Sequence, residues 1–200
     1  MFSILRKSLF VVSLSIVTLE VAIADKHNDS MISQARDVAS MVLLTWKNTF
    51  IAALRDEENS EGKAEKGPVS PVRAWHKAWI VPQEASQFSG WAVKFTSLKL
   101  RNPKNQPDDW EAKVLKDFEV RHQSGESTDK LEFSEVFANG DRKEFRYIKA
   151  IPTTEMCLAC HGTEINPSLK TDIKQIYPQD NATGYKVGDL RGAIVMRKVI

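Results

Sequence analysis

The sequence predicts an α+β fold with an antiparallel sheet. Apolar and polar residues alternate in four segments, and segments with helical spacing of apolar residues lie ahead of these and between them. Two of the alternating segments are adjacent and read as a hairpin, whereas the other two are distant in the chain. Hairpins pair antiparallel strands, so the sheet is expected to be antiparallel.

The first 24 residues have the pattern of a secretory signal peptide. The basic residues Arg6 and Lys7 precede a mostly apolar stretch, and residues 22–24 match the A-x-A cleavage site. Because the apolar stretch is short and interrupted by polar residues, an uncleaved membrane span is the less favoured alternative. We therefore predict a signal peptide at residues 1–24 and one exported domain at residues 25–200.

A long helix is predicted to begin at Asp29. Its apolar residues recur at steps of three and four and form one stripe: Met31, Ala35, Val38, Val42, Trp46, Phe50 and Leu54. After Arg55 the chain is charged and lacks an apolar period, which indicates a solvated loop. A second helical stretch follows Gly67-Pro68 and is expected to stop or kink at Pro82.

The central segments predict a strand, a loop, a helix and a hairpin. Residues 91–97 alternate as a strand does, and residues 101–107 contain two prolines. Asp108 can cap the next helix, and Glu111 completes a capping box. The pair Asn139-Gly140 predicts the hairpin turn. The hairpin strands are marked by Leu131, Phe133, Phe137, Phe145, Tyr147 and Ile151, and a last strand is expected at residues 192–199.

Cys157, Cys160 and His161 form the C-x-x-C-H pattern of covalent c-type haem attachment. The two thiols can add to the haem vinyl groups, and the imidazole can serve as the proximal iron ligand. A zinc site needs a second pair of ligands, which the sequence lacks, and a disulfide or redox pair is a further minor alternative. We therefore predict haem c with its iron, and a periplasmic location, where bacterial c-type haem is attached.

Charge and residue pattern argue against two other classes of function. A formal net charge of +2 provides no basic field, so nucleic acid is not expected as a partner. No acid and base pair can be read beside the haem motif, so we expect no enzyme. A membrane is expected as a partner only if the signal peptide is retained.

Several motifs, in order along the chain, resemble the Tll-like haem-c domain family. They are Thr96–Pro103, Asn105, Pro107-Asp108, Glu111, Tyr147–Pro152, Cys157–Gly162, Tyr177-Pro178, Asp180, Ala182–Tyr185 and Gly188. The likeness extends over about residues 31–199. It implies an exported domain with a PAS-like sheet, a long N-terminal helix and one covalently bound haem c.

The resemblance also implies a distal iron ligand between the long helix and the first strand. Family members often carry a cysteine that falls at or near Trp75, but this chain has no third cysteine. The nearest residue able to bind iron is His76, which gives the hypothesis of bis-histidine ligation by His161 and His76. An open or water-bound iron, with His76 as an ordinary helix residue, is the alternative.

Two arginines are candidates for contact with the haem propionates. Guanidinium groups match carboxylates in geometry, so Arg101 and Arg146 are predicted to bind them, with a solvated arginine as the plain alternative.

Two functions are compatible with these features. The resemblance favours a haem-based sensor, in which a redox change or a small gas ligand alters the fold and a separate signalling partner reads the change. The alternative is a periplasmic electron-transfer protein with a redox partner, in which two fixed axial ligands close the iron to other ligands.

Overall fold

The computed structural model describes residues 3–59 and 71–200. The chain divides into two compact units, residues 1–37 and residues 38–200. The first unit is formed by the N-terminal part of helix α1. Among the described residues, no helix has both the length and the apolar character that crossing a membrane requires.

Six α-helices and four strands make up the described part of the chain. The helices are α1 (Ser3–Glu58), α2 (Pro71–Ala78), α3 (Val81–Ser89), α4 (Asp109–Gln123), α5 (Glu155–His161) and α6 (Pro167–Ile176). The strands are β1 (Ala92–Thr96), β2 (Glu132–Asn139), β3 (Arg142–Pro152) and β4 (Leu190–Val199). Short 3₁₀ turns lie at Pro103–Asn105 and Thr128–Lys130.

The strands form one antiparallel sheet in the order β1-β4-β3-β2. The α+β class, the antiparallel sheet and the long N-terminal helix are thereby confirmed. Strand β4 is the last strand in the chain but lies between β1 and β3 in the sheet. It therefore pairs with β1, which comes about a hundred residues earlier in the sequence. This pairing brings the segment after β1 next to the start of β4, where the candidate site lies.

Helix α4 covers one face of the sheet. Its capping box forms as predicted, since Asp108 accepts the Glu111 amide at 2.9 Å and Glu111 accepts the Asp108 amide at 3.2 Å. The core between helix and sheet consists of Val114, Leu115, Phe118, Leu131, Ile148, Ala150, Ala193 and Val195. The helix therefore closes this face, and the cleft described below lies elsewhere.

A second cluster joins the C-terminal part of α1 to α2. Phe50 and Ala53 of α1 are buried with Ala74 and Ala78 of α2. Trp46 packs against Phe50, Trp75 and Phe95 at centroid distances of 5.7, 5.0 and 6.3 Å. The predicted apolar stripe thus contributes buried residues, of which Val42 and Phe50 lie in the unit of residues 38–200, and the aromatic Trp46 reaches strand β1.

The hairpin between β2 and β3 is confirmed, but its turn lies one residue later than predicted. Asn139 pairs with Arg142, so the two loop residues are Gly140 and Asp141. Gly140 has φ of +60° and no non-glycine residue described has positive φ. A glycine at the first loop position and a negative φ at the second are typical of a type II′ turn, which explains the shift.

Other helix boundaries also differ from the prediction. Pro82 does not end a helix as predicted but lies in the first turn of α3. A backbone N–H has no partner within the helix at that position, so proline is tolerated there. Helices α5 and α6 occupy segments in which no helix was predicted. The predicted loop after Arg55 begins later, because α1 continues to Glu58. Residues 60–70 lie outside the described residues.

Candidate cofactor site

A cleft lies between the sheet, the C-terminal part of α1, α2, α5 and α6. Its empty space, including the part open to solvent, is about 1090 Å³. Much of the lining is apolar or aromatic and includes Leu43, Trp46, Phe50, Trp75, Phe95 and Ile151. The cleft also contains Cys157, Cys160 and His161, so the three residues of the predicted motif line the same cavity.

The motif occupies the short helix α5, directly after strand β3. Thr154 caps this helix, and its backbone N–H and hydroxyl lie 3.4 and 3.3 Å from the Cys157 sulfur. Both cysteines are half-buried free thiols. Burial raises the pKa of the Cys160 thiol, so this group is protonated at neutral pH. One helical turn thus presents two unpaired thiols to the cleft.

His161 is held as a neutral imidazole with one defined tautomer. The side chain is buried, and its Nδ1 lies 2.7 Å from the carbonyl oxygen of Ala182. A carbonyl can only accept, so Nδ1 carries the hydrogen and Nε2 is the unprotonated nitrogen that bears the lone pair. Burial, followed by the charges of Arg191 and Arg101, lowers the pKa of His161 to about 2. This neutral form is the one that binds a metal.

The loop after α6 is bonded to the backbone of His161 and Gly162 and is itself braced by Asp180. The Tyr185 amide donates to the His161 carbonyl and the Gly184 amide donates to the Gly162 carbonyl, both at 3.0 Å. Asp180 accepts the Ala182 amide at 2.9 Å, which orients the carbonyl that binds the imidazole. Such groups behind a metal ligand set its tautomer and orientation.

Arg101 connects this loop to the motif helix. Its guanidinium donates to the Cys160 carbonyl at 2.5 Å and to Asp180 at 3.0 Å. The Nε of Arg101 is buried and has no hydrogen-bond partner among the described residues. Arg101 therefore lies at the cleft with its Nε–H still available as a donor, and its contact with a haem propionate stays a prediction.

The cleft carries positive charge. Lys99, Arg101 and Arg191 line it, and no Asp or Glu belongs to its lining in the described part of the chain. Apolar walls, two free thiols, a neutral imidazole and three cations together fit a haem, which has an apolar ring, vinyl groups, iron and two propionates.

Comparison with known proteins then identifies the family. The Tll0287-like family matches residues 24–198. The chain belongs to the Tll0287-like family. Among solved structures, a likeness is found to the "cyanobacterial heme-protein Tll0287", with 23% identity and a TM-score of 0.54. It covers 84% of this chain and 91% of that chain, and it concerns the fold. No curated protein matches.

Two of the predicted site residues are not placed at the cleft of this Tll0287-like domain by the described structure. Arg146 is a correction: it is not among the lining residues, its guanidinium lies 2.6 Å from Glu144, and it stacks 3.7 Å over the ring of Phe137. Its side chain is therefore already paired on β3, away from the motif. His76 belongs to α2, but its side chain lies outside the described residues, so ligation by His76 stays a prediction.

Sequence reasoning missed Arg191, and it gave no role to Asp180 or Ala182. Arg191 stands at the start of β4, where a polar residue reads as an ordinary strand residue. Asp180 and Ala182 lie in the family motif 177–185, but the motif alone does not reveal that a backbone carbonyl binds the imidazole. The fold reveals it, because the loop returns to the motif helix from about 20 residues later.

Proposed function

We propose that this chain is an exported mono-haem c-type protein in which Cys157 and Cys160 form thioethers and His161 is an axial iron ligand. The observation that carries the proposal is the hydrogen bond from His161 Nδ1 to Ala182, which makes Nε2 the unprotonated nitrogen in a cleft with two unpaired thiols. Membership of the Tll0287-like family supports it, as does the likeness to a solved protein that is itself a heme protein.

The chain's own residues would perform distinct tasks at this site. Bound haem supplies an iron that changes oxidation state and binds small ligands. The thiols would tether the ring, and His161, oriented by the Ala182 carbonyl, would bind the iron. Trp46, Phe50 and Phe95 exclude water, which influences the potential through the local dielectric constant. The cations at the cleft compensate the propionate charges.

We further propose that the protein is a haem-based redox or small-ligand sensor. The cleft has the β-sheet on one side and α1 and α2 on the other, with Trp46 in contact with residues of all three elements. A ligand that enters between them acts on the packing of both helices. A separate partner protein, located with it in the periplasm after export, would read this change. We propose no enzymatic activity.

Electron transfer is the second candidate function. It requires a closed iron with two fixed axial ligands, for which His76 is the hypothesis. A bis-histidine iron has a lower potential than a Met/His iron, because Met ligation raises the potential. The partner would then be a redox protein rather than a signalling protein.

Covalent attachment is tested by acid–acetone extraction of protein matured with a c-type haem assembly system. We expect the wild-type chain to keep its pigment and Cys157→Ala/Cys160→Ala to release it. Each single variant should keep haem through one thioether, with an absorption band shifted from that of the wild type. The wild-type protein losing all pigment would contradict the proposal.

Sensor and carrier are distinguished by titrating the reduced protein with carbon monoxide or nitric oxide. Rapid binding, accompanied by a change in hydrogen exchange of α1 and α2, supports the sensor. A protein that binds neither gas, yet exchanges electrons rapidly with a small redox mediator, supports the carrier.

A further inference from the structure

Arg191 is a half-buried cation, and the described residues offer its guanidinium no carboxylate. One guanidinium nitrogen lies 3.4 Å from the Ser97 hydroxyl, and the group stacks 5.3 Å over the ring of Tyr185. Among the described residues that line the cleft, the cation in an ion pair is Arg101, which binds Asp180. A guanidinium that has lost part of its hydration favours an anion as its partner.

The same guanidinium lies at the iron-binding atom of His161. Its Nη2 is 3.3 Å from Nε2, and Nε2 is the acceptor because Nδ1 donates to Ala182. An imidazole nitrogen has one lone pair, so it can accept from Arg191 or bind iron but not both. Iron ligation therefore requires Arg191 to move away from Nε2.

We propose that Arg191 caps His161 before haem insertion and then pairs with a haem propionate once iron occupies Nε2. This inference rests on the proposed haem function and adds a residue with two successive roles. The propionate offers what the cleft lining lacks among the described residues, a carboxylate that a guanidinium can bind with two parallel hydrogen bonds. Nearby Arg101, with its unpartnered Nε, adds a second donor for the same anion.

The test compares haem with haem dimethyl ester, in which both carboxylates are blocked. Both are titrated into the full chain carrying Cys157→Ser and Cys160→Ser, so that only non-covalent binding is measured. The variant Arg191→Met removes the charge and every hydrogen-bond donor of the side chain but keeps an unbranched side chain. Lys99→Met is the matched control, because Lys99 is a cation of the same cleft that already binds the Thr183 carbonyl at 2.7 Å.

We expect Arg191→Met to weaken haem binding about ten- to hundredfold, as the loss of a charged hydrogen bond does. It should bind the dimethyl ester at least as tightly as the parent chain, because the cap no longer competes for Nε2. Lys99→Met should affect haem several-fold less than Arg191→Met does. Arg191→Lys should recover part of the haem affinity.

Two results would overturn the role proposed for Arg191. Equal weakening of both ligands would assign Arg191 a merely structural role, and unchanged binding of both would leave it no role in haem binding. If the parent chain binds neither ligand and matured protein also holds no covalent pigment, the proposed function itself fails. If matured protein holds covalent haem and Arg191→Met does not discriminate the two ligands, only the role of Arg191 fails.

Discussion

Arg101 and Asp180 form an ion pair at 3.0 Å that joins the segment after β1 to the loop after α6. Their side chains are only 11% and 12% exposed, so solvent screens the pair little. The other carboxylate oxygen of Asp180 accepts the amide of Ala182, whose carbonyl binds His161. The ion pair therefore supports the imidazole through one backbone unit.

Asp180→Asn is expected to destabilise the fold and disturb the orientation of His161. The substitution leaves the Arg101 guanidinium buried without its charge partner, at a cost of about 3 kcal/mol in the free energy of unfolding. Urea denaturation measures this cost. The control is Asp172→Asn on α6, for which we expect a change within about 0.5 kcal/mol because no bond to its side chain is found among the described residues. Equal effects of the two variants would contradict the role of the pair.

Gly192→Ala is expected to separate β1 from β4 at the cleft. A Cβ at this position would overlap the carbonyl oxygen of Thr96 and lie 3.2 Å from the Cβ of Ser97. Because the first obstacle is backbone, the strands must shift, with an expected loss of about 1–3 kcal/mol. Thermal unfolding checks the loss, and haem content checks the effect on the cleft. A variant with wild-type stability and haem content would show that β1 accommodates the methyl group.

Asp108 is expected to give the fold an acid dependence. Burial alone would raise its pKa, but the Glu111 amide and Arg197 together lower the pKa below its usual value of 3.8. The unfolded chain then binds more protons in this range, so the stabilising contribution is complete above about pH 4 and is lost as the pH falls through the lowered pKa.

The variant Asp108→Asn tests the direction of this pH dependence of stability. Asparagine still caps α4, so stability at neutral pH should change by no more than about 1 kcal/mol. Below about pH 4 the variant should lose less stability than the wild type does, as measured by urea unfolding across the acid range. Asp109→Asn, one residue later in the same helix, is the control and should keep the wild-type slope. A steeper acid loss in Asp108→Asn would reverse the assignment.

Local rules predicted the parts of the fold that depend on neighbouring residues. The capping box of Asp108 and Glu111 needs only a spacing of three, and it forms as expected. The hairpin depends on its turn residues, although the positive φ of Gly140 in a type II′ turn places the loop at Gly140-Asp141 rather than at Asn139-Gly140. Helices α5 and α6 were missed because each is short and mostly polar on one side. Their stability comes from tertiary packing, which for α6 includes contacts with α2, rather than from their own sequence.

The site could be predicted only where its functional residues lie close together in the sequence. One five-residue segment contains Cys157, Cys160 and His161, so a sequence pattern can identify all three. Arg191 reaches His161 only because β4 enters the centre of the sheet, 30 residues later in the chain. Arg146 shows the converse, since a plausible residue type on β3 is paired with Glu144 on the sheet instead.

His76→Ala tests the bis-histidine hypothesis, which predicts that the oxidised, haem-loaded wild type is six-coordinate and low-spin. Its neighbour Trp75 lines the cleft, so α2 is at the correct place for a distal ligand. Removing the imidazole should convert the absorption and electron paramagnetic resonance spectra to those of a high-spin iron and allow carbon monoxide to bind after reduction. His122→Ala is the control, because His122 contacts Glu126 and Thr128 and does not line the cleft.

A low-spin spectrum that survives His76→Ala would assign the distal position to another group. Met156, the lining residue with a thioether, would then be the next to replace.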